Sequence, residues 1–456
     1  MLIKYYLMCK RVSMHSFVEK YRLIFGSNID NFLQSLKLPK EKFFRLNLAR
    51  NFNYLSEFEY LNIPFSRCDL FDNVYKLKES DKNIRLSDTI SFFTGGIYIQ
   101  NPSSLLPVKF LIENIDVDEP VILDMASAPG GKTTALSEFL DRRGLIVANE
   151  PSKSRLKDLN FNIEKNFAYN VATVSYDGRV LHKYLSEVFD AVLLDAPCSN
   201  ENKIFHDNAV LNNWSETLVE RLAKLQRELI ESACFTLRKG GILIYSTCTF
   251  SIEENEQIVE YLLSEYDVEL IDLNKGDFDY GLSGNSNIDK KVVRILPHSG
   301  RYPGFDGFFV AGFRKKGGGI SNRNVKILNS GYGLRTPAED SIIYEIKNDL
   351  YLSPKYQISG LKYEKFGTKL GKKIKNMVEY SSQACWEFGD KLIKKKLVID
   401  DYEKAKKFVK GENLKLKDYD NKEGVLFFKD IPLGYFKIVD GRIKNKIDRY
   451  FLRGLK

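Results

Sequence analysis

Between residues 119 and 266, short apolar runs rich in Val, Ile and Leu alternate with longer amphipathic segments, and no other feature of the 456-residue chain constrains its fold as tightly. Near-continuous apolar runs suit strands buried on both faces, and helices between them supply the crossovers that a parallel sheet requires. The strand candidates are residues 120–126 (PVILDMA), 144–150 (GLIVANE), 170–175 (NVATVS), 189–197 (FDAVLLDAP) and 240–248 (GGILIYSTC). Helical spacing occupies residues 132–143, 152–167, 215–239 and 252–266. Five strand–helix units predict an α/β, doubly wound, Rossmann-like sheet.

The flanks differ from this centre. Residues 15–90 mix helical patterns (FVEKYRLIFG, NIDNFLQSLKL, FFRLNLARN) with short loops, as in a small α+β module. Gly317-Gly318-Gly319 beside basic residues reads as a linker, followed by a Lys-rich segment with β-like runs at GVLFFKD and LGYFKIVDG. The expected organisation is an N-terminal RNA-binding module over 1–90, an α/β domain over 91–316, a linker over 317–334 and a β-rich domain over 335–456. Lys and Arg number 69 against 60 Asp and Glu, a net of +9; residues 331–456 alone hold 28 basic and 18 acidic residues, so the first 330 are near neutral. A cationic excess confined to one end suits contact with a polyanion, although a Lys-rich solvated face carries the same signature.

With 43% hydrophobic and 28% charged residues the chain is of globular composition. Cysteines 9, 68, 198, 234, 248 and 385 form no Cys-x-x-Cys pair, which argues against a zinc ribbon. The N-terminal MLIKYYLMCKR is too short and too charged for a signal or membrane segment, so a cytoplasmic protein with no membrane partner is expected, starting at Met1 or Met14. His15, His182, His206 and His298 lack metal-ligand spacing, and no metal is expected.

Chemistry concentrates at the carboxyl ends of the candidate strands. After the first, Ala126, Ser127, Ala128, Pro129, Gly130, Gly131 and Lys132 form a Gly-bearing turn into a helix, where backbone can approach a ligand closely. Residues 126–133 come close to the phosphate-binding loop of nucleotide triphosphatases, but Pro129 carries no N–H and the first glycine of that motif is absent. Glu150 ends the second candidate strand, about 20 residues on, where a carboxylate accepts from ribose hydroxyls. Asp177 follows the third and Asp195 belongs to the fourth. Three carboxylates favour a nucleoside ligand that is itself cationic over a triphosphate. Cys198 in Asp195-Ala-Pro-Cys-Ser and Cys248 in Ser246-Thr-Cys-Thr-Phe lie at strand ends; the remaining cysteines read as small buried hydrophobes.

ASAPGGKTT, Glu150, Asp177-Gly178, DAPCS and STCT together strongly resemble the S-adenosylmethionine-dependent RNA cytosine-5 methyltransferases of the Sun/Fmu group, closest to the RsmF type acting on ribosomal RNA. The likeness extends through GGIYIQNPSS, PHSGRYPGFDGFFVAGFRK and a C-terminal stretch similar to a PUA-like RNA-binding domain. It implies a class I methyltransferase sheet with S-adenosyl-L-methionine held by residues 126–132, Glu150, Asp177 and Asp195. It also implies Cys248 as nucleophile, Cys198 as the cysteine that assists product release, and Asp195 at the N3/N4 edge of the base, stabilising the activated ring if its carboxyl is protonated. The implied partner is RNA, 16S ribosomal RNA of the small subunit foremost with transfer RNA as an alternative, and a monomer is expected. After DAPCS this chain reads Asn200-Glu-Asn where the family has a glycine-containing GEG-like run; Asn tolerates left-handed backbone, so the loop is expected to keep its shape. Ser127 stands where alanine is common. A phosphate-loop ATPase and a non-catalytic RNA-binding assembly factor are the alternatives.

Overall fold

A computed structural model describes residues 2–78, 85–317, 325–328, 338, 341–375, 377–415 and 422–454. The linker expected over 317–334 lies largely outside them. The chain forms two compact units that interleave along the sequence: residues 1–41, 101–126 and 176–324 make one, and residues 42–100, 127–175 and 325–456 the other.

In the first unit, Val121–Asp124, Phe189–Asp195 and Leu237–Thr247 are parallel neighbours, and Phe308–Lys315 adds to the last of these antiparallel. Their side chains are buried almost throughout, as expected of strands covered on both faces. The register sets Asp195 opposite Ser246, so the two cysteine-bearing loops leave the sheet at the same level. Helix Glu216–Thr236 begins at Ser215, whose hydroxyl caps Leu218 N at 3.1 Å, and buries Val219, Leu229, Ile230 and Ala233. Helices Leu2–Phe25 and Ile29–Lys37 pack Phe17, Tyr21, Phe32 and Leu36 against Trp214, Val219 and Phe250. The first helical run of the sequence is therefore anchored on the segment that follows Cys248.

The second unit contains the parallel pair Leu145–Asn149 and Val171–Val174, connected by helix Lys153–Lys165, with Tyr363–Phe366 antiparallel beside the latter. Phe43–Leu46 is a strand in a four-stranded antiparallel sheet, a correction to the helical pattern assigned to FFRLNLARN. Its burial is continuous over Phe43, Phe44 and Arg45, which a helical face cannot provide. GVLFFKD and LGYFKIVDG form the paired strands Glu423–Phe428 and Ile431–Val439 of a five-stranded sheet. The helix expected over 132–143 spans Gly131–Phe139 and stops early because Asp141 and Arg142 adopt positive φ. That turn carries the Arg142 guanidinium inward.

Buried arginines organise this unit. Arg45 is fully buried, donating to Glu138 at 2.8 and 2.9 Å, to Thr134 Oγ1 at 3.1 Å and to the Gly131 carbonyl at 3.2 Å, so a strand side chain fixes the helix after the Gly turn. Glu387 accepts from Arg50 at 2.7 Å and from Arg142 at 3.2 Å. Arg50 also caps the Lys165 carbonyl at 3.0 Å, while burial beside this cation pushes the Lys165 amine down to about 7.

Removing Glu387 strands two buried cations, so Glu387→Ala should lose about 3–5 kcal/mol of stability. Glu364→Ala, which removes only the surface pair with Lys153, should lose under about 1 kcal/mol. Urea denaturation followed by intrinsic fluorescence distinguishes them, and similar midpoints for the two variants would contradict a structural role for the buried cluster.

Candidate active site

The loops after Asp195 and Thr247 converge in the first unit. Cys198 Sγ lies 3.3 Å from Cys248 Sγ, and Cys248 Sγ lies 2.9 Å from Asn200 Oδ1, to which it donates. Ser246 Oγ donates to Asp195 Oδ1 at 2.7 Å. The three residues expected to perform chemistry are therefore carried by two neighbouring strand ends. Asn200 has φ 58° and ψ 30°, the left-handed conformation expected where the family pattern carries glycine.

Two buried carboxylates tie the loops together, and the sequence reading passed over both. Glu254 accepts from Ser199 N at 3.0 Å, Ser199 Oγ at 2.5 Å, Gln226 Nε2 at 2.8 Å and Ser251 Oγ at 3.1 Å. Glu201 accepts from Phe250 N at 2.9 Å, Trp214 Nε1 at 2.8 Å, Tyr21 O–H and Thr249 O–H. Each carboxylate thus bridges the Cys198 loop and the segment after Cys248. A signal existed: Glu201 is three residues past Cys198 and Glu254 six past Cys248. The helix expected over 252–266 begins only at Glu256, because residues 251–254 are occupied in this bridge.

Electrostatics distinguish the groups. Cys198 is held well above the ordinary thiol range by its hydrogen bond with Cys248, by burial and by the nearby charges of Cys248 and Glu254. Burial and the neighbouring Glu201 push Glu254 up to about 7 against the opposing bonds from Ser199 and Gln226. A carboxyl raised in this way contributes stability that is complete below its unfolded value and is lost as pH rises through about 7.

Beside Cys198 opens a cleft of about 610 Å³. Ser199, Asn200 and Asn213 offer polar groups on its wall, Val210 and Leu218 apolar ones, and Arg221 a guanidinium.

The Gly turn belongs to the second unit from Ser127 onward. Gly130 has φ 108°, and a Cβ there would also meet Leu159 at 3.1 Å, so both conformation and space favour glycine. Ser127 N and Oγ donate to the Asn149 carbonyl at 3.0 and 2.9 Å. Glu150 is buried, accepts from Ser152 N at 2.9 Å and pairs with Arg155 at 3.3 Å. Arg155 also donates to the Ala128 carbonyl at 2.7 Å, linking the acidic residue to the turn. Lys132 lies in the first turn of helix Gly131–Phe139. Asp177, in the first unit, is half exposed and clasped by Arg179, whose hydrogen bonds hold its carboxyl below the usual range. His182 meets Ser232 at 3.1 Å and His298 packs edge-on against Phe25 and Phe32, both structural contacts.

Comparison with known proteins accounts for these features together. Residues 113–314 match the family described as 16S rRNA methyltransferase RsmB/F, and residues 395–453 match the RsmF methyltransferase PUA domain. The ribosomal RNA small subunit methyltransferase F of Photobacterium profundum is 30% identical over 472 residues, covering 96% of this chain and 97% of that protein. Among solved structures, a methyltransferase homolog from Pyrococcus horikoshii is 27% identical with a TM-score of 0.55, covering 66% of this chain and 94% of that one. NSun6 from Pyrococcus horikoshii, solved with SFG, shares the fold at a TM-score of 0.57 and 24% identity, over 66% of this chain and 97% of its own. With paired strand-end cysteines, a Gly turn and a relative collinear over nearly its whole length, the chain belongs to the RsmB/F family of 16S rRNA methyltransferases, combining a Rossmann-like methyltransferase fold with a C-terminal PUA domain.

Proposed function

We propose that this protein transfers a methyl group from S-adenosyl-L-methionine to C5 of a cytosine in 16S ribosomal RNA through a transient bond between Cys248 and C6 of the base. The observation that carries the reading is the 3.3 Å approach of Cys198 and Cys248 on loops leaving adjacent parallel strands. A triphosphatase would leave both sulfurs without a task, and Pro129 removes a donor from the loop it would need.

The residues around the Gly turn fit the cofactor. Gly130 allows close backbone approach, and the buried Glu150 carboxylate suits ribose hydroxyls. We assign residues 126–132, Glu150, Asp177 and Asp195 to holding it. When bound, the cofactor supplies an electrophilic methyl on a sulfonium.

Cytosine C5 is too weak a nucleophile to take that methyl unaided. Cys248 gives its proton to solvent and adds to C6 as the thiolate, so the C5–C6 double bond becomes single and the electron pair moves into C4–C5, an enamine whose C5 attacks. Asp195, steadied by Ser246, is assigned to the N3/N4 edge, where a proton carried on its carboxyl would neutralise the negative charge that the ring gains at N3. The C5 proton then leaves to a base and the C6–Sγ bond breaks, restoring Cys248. We assign Cys198 to that base. Once Cys248 is bonded to carbon it no longer ionises beside Cys198, which removes one of the causes that keep Cys198 protonated.

The RNA strand enters by the cleft beside Cys198, with Arg221 on a phosphate. The target base must unstack, at a cost of a few kcal/mol that phosphate contacts offset. Residues 1–90 and 335–456 are assigned to RNA contact and 91–316 to catalysis, joined by the linker at 317–334. The substrate is bare RNA or the small subunit, and the protein acts as a monomer.

Cys248→Ala should abolish methylation while leaving cofactor affinity nearly unchanged by calorimetry; full turnover would remove Cys248 from the mechanism. Cys198→Ala should accumulate a protein–RNA adduct that survives denaturing electrophoresis, and an adduct in Cys248→Ala instead would reverse the two roles. Arg221→Ala should weaken RNA binding and reduce the slope of log affinity against log salt by about 1. An unchanged slope would take the strand out of the cleft.

A further inference from the structure

Asn200 has a side chain with no local task. At φ 58° a glycine would serve the backbone with less strain, and an asparagine in such a place commonly bonds its own loop. Here it makes no cap bond to the short helix Glu201–Lys203 that it precedes. Its carboxamide instead reaches the other loop, where Oδ1 accepts from Cys248 Sγ at 2.9 Å.

The backbone carrying it is held on several sides. Lys203 N donates to the Asn200 carbonyl at 2.9 Å, and Asn202 N donates to the Cys248 carbonyl at 3.3 Å. Asn202 Oδ1 accepts from Lys40 at 3.1 Å and from Gly307 N at 2.8 Å, while Glu201 is buried among Tyr21, Trp214 and Thr249. An amide on so fixed a loop has little freedom to miss the sulfur. Among the described residues Cys248 Sγ has two polar neighbours, Asn200 Oδ1 and Cys198 Sγ. Cys198 is the partner assigned to the later proton transfer, so Asn200 is the one available to direct the attack.

We propose that Asn200 is a positioning residue for the nucleophile: its carboxamide holds the Cys248 sulfur in one direction before attack. It does so through both protonation states of the sulfur. The amide oxygen accepts from the thiol, and rotation of the amide by half a turn presents its NH2 group to the thiolate. Glycine at this position keeps the loop but holds neither state; aspartate keeps the acceptor, offers no donor when ionised and sets a negative charge beside the sulfur.

This inference rests on the reading of Cys248 as nucleophile, and the experiment separates the two. In a Cys198→Ala background, adduct formation with the RNA substrate isolates the attack. Adding Asn200→Gly should slow adduct formation about tenfold, the scale of one lost hydrogen bond. The RNA concentration for half-maximal rate and the cofactor affinity should be unchanged. Asn200→Asp should raise the pH at which iodoacetamide labels Cys248, followed by mass spectrometry of that peptide, because the new charge then lies against the sulfur; a side chain turned to its own loop and away from the sulfur would leave this profile in place. Equal adduct rates with and without Asn200→Gly, or an unmoved labelling profile in Asn200→Asp, would overturn the role of Asn200 alone. If Cys198→Ala itself forms no adduct, the nucleophile reading fails, and the Asn200 role fails with it.

Discussion

Two buried carboxylates, Glu201 and Glu254, impose the arrangement on which the chemistry depends. Glu254 gathers donors from both sulfur-bearing segments, and Glu201, itself on the Cys198 loop, takes donors from the segment after Cys248, so neither loop can move without leaving a buried charge or hydroxyl unmatched. Such a defect costs several kcal/mol, far more than the weak attraction between two thiols supplies. The 3.3 Å sulfur–sulfur distance is therefore a product of oxygen and nitrogen hydrogen bonding around it rather than of the sulfurs themselves. Glu254 also shows the cost of this design. Burial in a dry interior, with Glu201 close by, lifts its carboxyl to about 7, and Ser199 and Gln226 offset that penalty only in part.

The Gly turn is held by a different device. Arg45 reaches from an antiparallel strand into the helix after the turn, and Arg155 connects Glu150 to the Ala128 carbonyl. Positive charge thus steadies backbone carbonyls and carboxylates around the turn. Ser127 adds a bond to Asn149 that alanine cannot make, which explains why this substitution in the family pattern is accommodated.

All five strands of the α/β region were legible in the sequence because each is a run of apolar residues buried on both faces, a pattern that few other environments permit. Cys198, Cys248 and Asp195 were legible for a related reason: reactive groups at strand ends stand out against an apolar background. Glu201 and Glu254 were not, since in sequence a charged residue in a loop looks solvated and only long-range packing from Tyr21, Trp214 and Gln226 reveals the burial. The strand at FFRL was missed because its central arginine suggests a water-facing position, whereas Glu138 and Thr134 satisfy the guanidinium inside the unit. The early end of the helix after the Gly turn follows from the same limit: Arg142 leaves helical geometry to reach Glu387, some 245 residues away in the chain.

Charge and chemistry are divided along the chain, and the division has a physical rationale. The cationic excess lies in the last 126 residues, while the loops bearing the cysteines are built with buried acids and neutral amides. Lysines close to Cys248 would favour its thiolate but would also draw phosphate into the space the base must occupy. A cationic excess at the end of the chain lets long-range attraction raise the encounter rate with RNA. Short-range direction of the sulfur can then come from a neutral group, and an asparagine amide, able to accept from a thiol and to donate to a thiolate, suits a nucleophile that must change charge during each cycle.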